Sequence, residues 1–299
     1  LSTGKTIQQL IQSKYSSETL DLVARLKGKS NAEVLQELYD SIDRKIKKGI
    51  RLPEDQVILH TGPHHDDIEL GYFPRLHHLV RSTRLKNHFA YCTSGYTSVT
   101  SEYLRSIYEE LLKRLDGHIL ALREQKIESL FTTTYDNDIT LYLRGIAQQE
   151  ETVQRFAVAR RLARKWHQHL GITYMDELKA FVLKEMEAID RIESGRKEPD
   201  TFHLAKAWLR EFEDELVWAH FGFGTDRVNH LRLPFYSDDI FPHYPDFEQD
   251  VKPILQLFEK VKPTIVTLAL DPEGSGPDTH FKTLIALSQA LDAYHERHP

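Results

Sequence analysis

The run Val57-Ile58-Leu59-His60-Thr61 stops at Gly62-Pro63 and delivers four consecutive ionisable side chains, His64, His65, Asp66 and Asp67, before an apolar periodic segment resumes at Ile68 and Leu70. A short β-branched run broken by Gly-Pro and followed by helical periodicity is a buried strand handing over to a helix. This pattern commits the chain to an α/β architecture, and such handovers are where open α/β sheets bind ligands. Imidazole and carboxylate together suit a divalent metal such as zinc, with bonds of about 2.0–2.2 Å, and a carboxylate left over can act as general base. If His64 and Asp67 lie in the first turn of the helix, their three-residue spacing puts both on one face and turns Asp66 elsewhere.

Other chemistries are narrowed by composition. The single cysteine, Cys92, excludes an intrachain disulfide and a multi-cysteine metal site, and its place in an apolar run reads as a buried inert thiol. With 39 basic and 45 acidic residues the formal charge is −6, and without a long basic stripe a nucleic acid partner is not expected. No window approaches the roughly 18 apolar residues of a membrane span, and the N-terminus lacks a secretory pattern, so a cytoplasmic protein with no membrane partner is expected. The chain begins at Leu1 rather than Met, from which a longer parent chain is expected.

Residues 1–52 read as a helical linker segment: Ser30-Asn31-Ala32-Glu33 has capping-box spacing, Val34, Leu35, Leu38, Ile42 and Ile46 follow at helical intervals, and Gly49 is expected to close the helix. Residues 53–299 read as the main domain. There, Leu70–Leu85 is expected to be helical, interrupted or started by Pro74, and His88–Cys92 to be a second strand ending at Thr93-Ser94-Gly95. His77 and His78, in that helix, read as surface residues rather than ligands.

Between about 98 and 203 the strand signal fades. One stripe through Leu104, Ile107, Tyr108, Leu111 and Leu115 and another through Phe156, Ala159, Leu162, Ala163 and Trp166 predict a helical insertion, a lid or a subunit contact, which leaves room for a homo-oligomer. Arg155, Arg160, Arg161, Arg164 and Lys165 read as the solvated face of the second stripe's helix. The parent fold is expected to return near Leu204 with a helix carrying Arg210 and Glu213, then a strand Val228–Leu233 with Ser237, Asp238 and Asp239 just beyond it. A helix over about 247–261 precedes the apolar run Thr264–Leu270, which ends in Asp271-Pro272 and leads to Asp278 and His280. Parallel strands joined by right-handed crossovers bring their carboxyl ends to one edge, so His280 can return beside His64 and Asp67.

In this order, these residues resemble the PIG-L/LmbE-like N-acetylglucosamine deacetylases over about 56–97 and 204–295. The resemblance implies a Rossmann-like three-layer fold with a mainly parallel sheet, a zinc ion held by His64, Asp67 and His280, and Asp66 as general base. It also implies substrate contacts at Arg210, and we place Asp239 beside it as a second substrate-binding candidate. His65 stands where the family commonly has proline, Tyr96 where an acidic residue often follows Gly95, and Gly276 where the closing motif usually has an oxyanion-stabilising histidine. The long insertion and Leu1 are similar, more narrowly, to the deacetylase-like domain fused behind a glucosamine-6-phosphate deaminase-like domain in bacterial proteins. The expected function is zinc-dependent deacetylation of an N-acetylated amino sugar or its phosphate in amino-sugar metabolism. Its rival is a non-catalytic sugar-sensing or scaffolding domain of such a fusion. An iron oxygenase site of two histidines and a carboxylate is disfavoured by the helix-rich alternation.

Overall fold

Residues 4–116, 136–192, 197–237, 243–270 and 278–298 are described by the structure, a computed structural model. Its contacts separate into two units, Leu1–Glu54 and Asp55–Pro299. In the first, helices α1 (Ile7–Gln12), α2 (Glu18–Lys27) and α3 (Asn31–Ile50) follow one another. The Ser30 hydroxyl accepts from the Glu33 amide while the Glu33 carboxylate accepts from the Ser30 amide, so the capping box forms as read. Gly49 does not close α3, which runs through it to Ile50. One glycine costs only about 1 kcal/mol against alanine in a helix. The stop comes from Pro53, which disfavours helical backbone at Leu52.

The second unit is built on four parallel strands, β1 (Gln56–Gly62), β2 (Leu85–Tyr91), β3 (Val228–His230) and β4 (Ile265–Leu268), in the order β3-β2-β1-β4. Helix α4 (Asp67–Val80) joins β1 to β2. It starts three residues before the expected Leu70, and Tyr72 leaves helical geometry two residues before Pro74. The second strand begins earlier and ends one residue earlier than read from the sequence, and the third stops at His230 rather than Leu233. Side chains alternate across β2: Phe89 and Tyr91 pack with Ile68, Leu76 and Trp218, while Ala90 and the following Cys92 pack with α10 (Lys252–Val261) and α11 (Asp278–Arg297). This is a three-layer α/β fold with helices on both faces of the sheet. Burial pushes the Cys92 thiol up to about 12, in keeping with an inert core cysteine.

Between β2 and β3 lie α5 (Ser101–Asp116), α6 (Asp136–Gln148), α7 (Glu151–Leu170), α8 (Met175–Arg191) and α9 (Asp200–His220). Both stripes read from the sequence lie in one helical core, through Leu104, Tyr108, Leu162 and Trp166. The basic residues of α7 require correction: Arg161 and Arg164 are buried. Arg164 and Arg160 grip the fully buried Asp138 of α6, and Arg161 pairs with Glu215 of α9 at 2.5 Å. Helix α7 is central to this core, so neighbouring helices cover the face that a surface helix would give to water. Helix α9 belongs to two cores. Phe202, Trp208 and Phe212 enter the helical one, and Trp218 stacks on Phe89 of the sheet with ring centroids 3.6 Å apart. No helix among the described residues is long and apolar enough to cross a membrane.

Candidate metal centre

The strand order reverses between β1 and β4, and at such a switch point the connections leave in opposite directions and open a crevice at the carboxyl ends of the strands. His64 and Asp67 follow β1, and His280 lies in the first turn of α11, which follows β4. They meet. His64 Nδ1 is 3.1 Å from His280 Nε2 and 3.6 Å from Asp67 Oδ2, which is itself 3.5 Å from His280 Nε2. Three donors on a triangle of these sides share a point about 2.0 Å from each, the length of zinc–imidazole and zinc–carboxylate bonds. The donor set therefore fits a zinc-sized cation. His64 lies in the turn rather than in the helix, so the pairing does not come from helical spacing. Its backbone amide donates to Asp67 Oδ2 at 2.7 Å and holds the carboxylate beside the ring.

Asp66 is not among these three donors. Its φ of 86° puts it in left-handed backbone, which aspartate tolerates better than most residues, and its side chain is 58% exposed. Arg210 reaches across from α9 to this turn: Nη2 donates to the His65 carbonyl at 2.9 Å and lies 3.4 Å from Asp66 Oδ2, while Nη1 meets Glu213 at 3.2 Å. The guanidinium therefore spans both its helix neighbour and the candidate base. Gly95 makes this approach feasible, because at its φ of 59° a Cβ would sit 3.3 Å from His65 Nδ1 and 3.7 Å from Arg210 Nε.

Tyr236 edges onto the His64 ring at 5.0 Å and packs against Tyr96 at 5.3 Å. Both tyrosines also line an adjoining pocket of about 370 Å³, together with Lys197, Asp200, His203 and Arg232. Asp239 lies outside the described residues, as do Asp271, Pro272 and the Gly276 position. His77 and His78 belong to no metal-holding group among the described residues.

Sequence reasoning missed a second cluster. His65, fully buried, stacks on Tyr91, and its Nε2 lies 3.2 Å from His230 Nδ1 and 3.4 Å from Asp214 Oδ2. The carboxyl of Asp214 is held well above the usual carboxylate range, first by burial and then by the nearby Glu69. His65 is held well below the usual imidazole range, first by burial and then by His230 and Arg210. Burial thus works against charge on both members of this contact. His230 stood inside the strand-like run Val228–Leu233 and so lacked the strand-end signal that marks His280. Asp214 had no such mark, since an acidic residue on a long helix is ordinary. No protein-family model, curated protein or solved structure matches the chain.

Proposed function

We propose that the unit from Asp55 onward is a zinc-dependent hydrolase that removes the acyl group from an N-acylated amino sugar or its phosphate. One observation carries this reading: three donors converge at the switch point while a fourth ionisable residue of the same turn, Asp66, faces solvent beside them. Holding a cation has no use for Asp66. Hydrolysis of an amide does, because the attacking water must lose a proton and the departing nitrogen must gain one.

When bound, zinc supplies a Lewis acid that polarises the amide carbonyl and acidifies water. The chain's own residues supply the rest. Asp66 takes the proton from water as the new C–O bond forms, then returns it to nitrogen as the C–N bond breaks, releasing the amine and the carboxylic acid, whose proton passes to the amine or to solvent. Arg210 holds the Asp66 carboxylate, and the tyrosine-walled pocket beside His64 offers mixed polar groups suited to sugar hydroxyls. The order of motifs shared with the PIG-L/LmbE-like deacetylases supports the same chemistry.

The test is Asp66→Asn. Asparagine also tolerates left-handed backbone, so the turn survives while the proton acceptor is lost. The variant is expected to keep its zinc and release amine from N-acetylated hexosamines and their phosphates about 10²–10⁴-fold more slowly. Zinc loss in the variant would reverse the roles of the two aspartates. Zinc-loaded wild-type chain that binds such sugars yet releases no amine would make the unit a sugar-binding module.

A further inference from the structure

We propose that His65, Asp214 and His230 form a second, buried cation site beside the open site of His64, Asp67 and His280. The three residues come from three elements: the turn after β1, the middle of α9 and the last residue of β3. One ligand atom from each lies within 4.8 Å of the others. The measured edges from His65 Nε2, 3.2 Å to His230 Nδ1 and 3.4 Å to Asp214 Oδ2, match the roughly 3.3 Å separation of donors arranged tetrahedrally on a cation with bonds near 2.0 Å.

A second observation is independent of that spacing. Buried polar atoms are almost always hydrogen-bonded. Yet Asp214 Oδ2, the carboxylate oxygen that faces His65 Nε2, is buried and finds no hydrogen-bond partner among the described residues. The neighbouring acids are engaged elsewhere: Glu215 with Arg161, Glu211 with Arg232, and Glu69 with the Tyr91 hydroxyl at 2.9 Å. Among these four acids Asp214 alone is met by an imidazole and by no arginine or hydroxyl of the described residues. The outer ring nitrogen of His230 points toward Glu215 Oε1 at 3.8 Å, the carboxylate-behind-histidine arrangement that orients metal-ligating imidazoles.

Burial distinguishes the two sites. Side chains of the first pair, His64 and Asp67, are each 20% exposed, whereas those of His65 and Asp214 are 1% and 6% exposed. Three protein donors leave one tetrahedral position in each site, and in the second that position is set among buried side chains. A cation in the buried site would tie α9, and with it Arg210, to the turn carrying Asp66. This second site stands whether or not the unit is a deacetylase, since it rests on none of the catalytic residues.

The experiment is a metal count on the full chain, stripped with chelator, reloaded with zinc and desalted, with cobalt(II) titration as a spectroscopic second measure. Wild type is expected to hold two equivalents, His280→Ala one, and His280→Ala combined with Asp214→Asn none. Zinc should raise the melting temperature of His280→Ala and leave that of the double variant unmoved. If the double variant does not fold, wild type and His280→Ala decide between themselves. A wild type that saturates at one equivalent, with His280→Ala taking up none, overturns the second site. Amine release enters none of these readouts, so a failed deacetylase reading leaves the count intact.

Discussion

Arg210 combines two roles, a partner for Glu213 on its own helix and a residue that reaches the turn after β1. Its guanidinium does the first at 3.2 Å and also reaches Asp66 and the His65 carbonyl. Arg210→Ala is therefore expected to leave zinc content unchanged and to lower kcat by about tenfold or more, a charged hydrogen bond being worth about 1.5–3 kcal/mol. A rise in KM without change in kcat would instead mark direct contact with the sugar. His60 supports a different expectation. It is buried in β1 between Tyr72, whose hydroxyl lies 2.8 Å from Nδ1, and Asn87, whose Oδ1 lies 3.0 Å from Nε2. Burial lowers its pKa from 6.5 to about 4. The unfolded chain then binds the proton more tightly than the folded one, so the His60 contribution is complete above pH 6.5 and is lost as pH falls toward 4. That loss is on the order of 3 kcal/mol. Denaturant unfolding of wild type and His60→Gln between these limits should show a shallower acid slope in the variant, and equal slopes would remove His60 as the cause.

At the level of elements, α7 and α9 show what a helical pattern reveals and what it hides. Leu162, Ala163 and Trp166 were readable as a buried stripe because apolar residues at helical intervals have one economical use. The burial of Arg161 and Arg164 was not readable, because it depends on Asp138 and Glu215 arriving from α6 and α9. Periodicity records the composition of a face and is silent about the partner set against it. The same reasoning divides the two clusters. His64, Asp67 and His280 declare themselves at ends of strand-like runs, whereas Asp214 becomes a site residue only because α9 crosses the carboxyl ends of β1 and β3. Removing one partner from a buried ionic network leaves the others without compensation and costs about 3–5 kcal/mol. Asp138→Ala is expected to destabilise the second unit by that amount without altering its zinc content. A loss below about 1 kcal/mol in urea unfolding would mean that Arg160, Arg161 and Arg164 find other compensation in the helical core.

For the molecule as a whole, the question is which part of the chain carries folding and chemistry. The three clusters of buried apolar residues draw all their members from Val99 onward or from the sheet and its covering helices, none from Leu1–Glu54. Among the described residues of the first unit only Ala24 and Leu35 are buried, and α1 has no buried residue. A segment of that size with so little apolar area removed from water does not offset the ordering of its backbone, which costs about 1–2 kcal/mol per residue. The second unit contains both donor clusters, the strand ends that place them and the crossing helix α9. A chain beginning at Asp55 is therefore expected to unfold cooperatively and to bind the same number of zinc equivalents as the whole chain, while the isolated segment 1–54 gives the circular dichroism of a largely unfolded peptide. Metal counting and thermal unfolding on the shortened chain check the first half. Failure of that chain to fold, or loss of a zinc equivalent from it, would show that the N-terminal helices take part in the domain that bears the site.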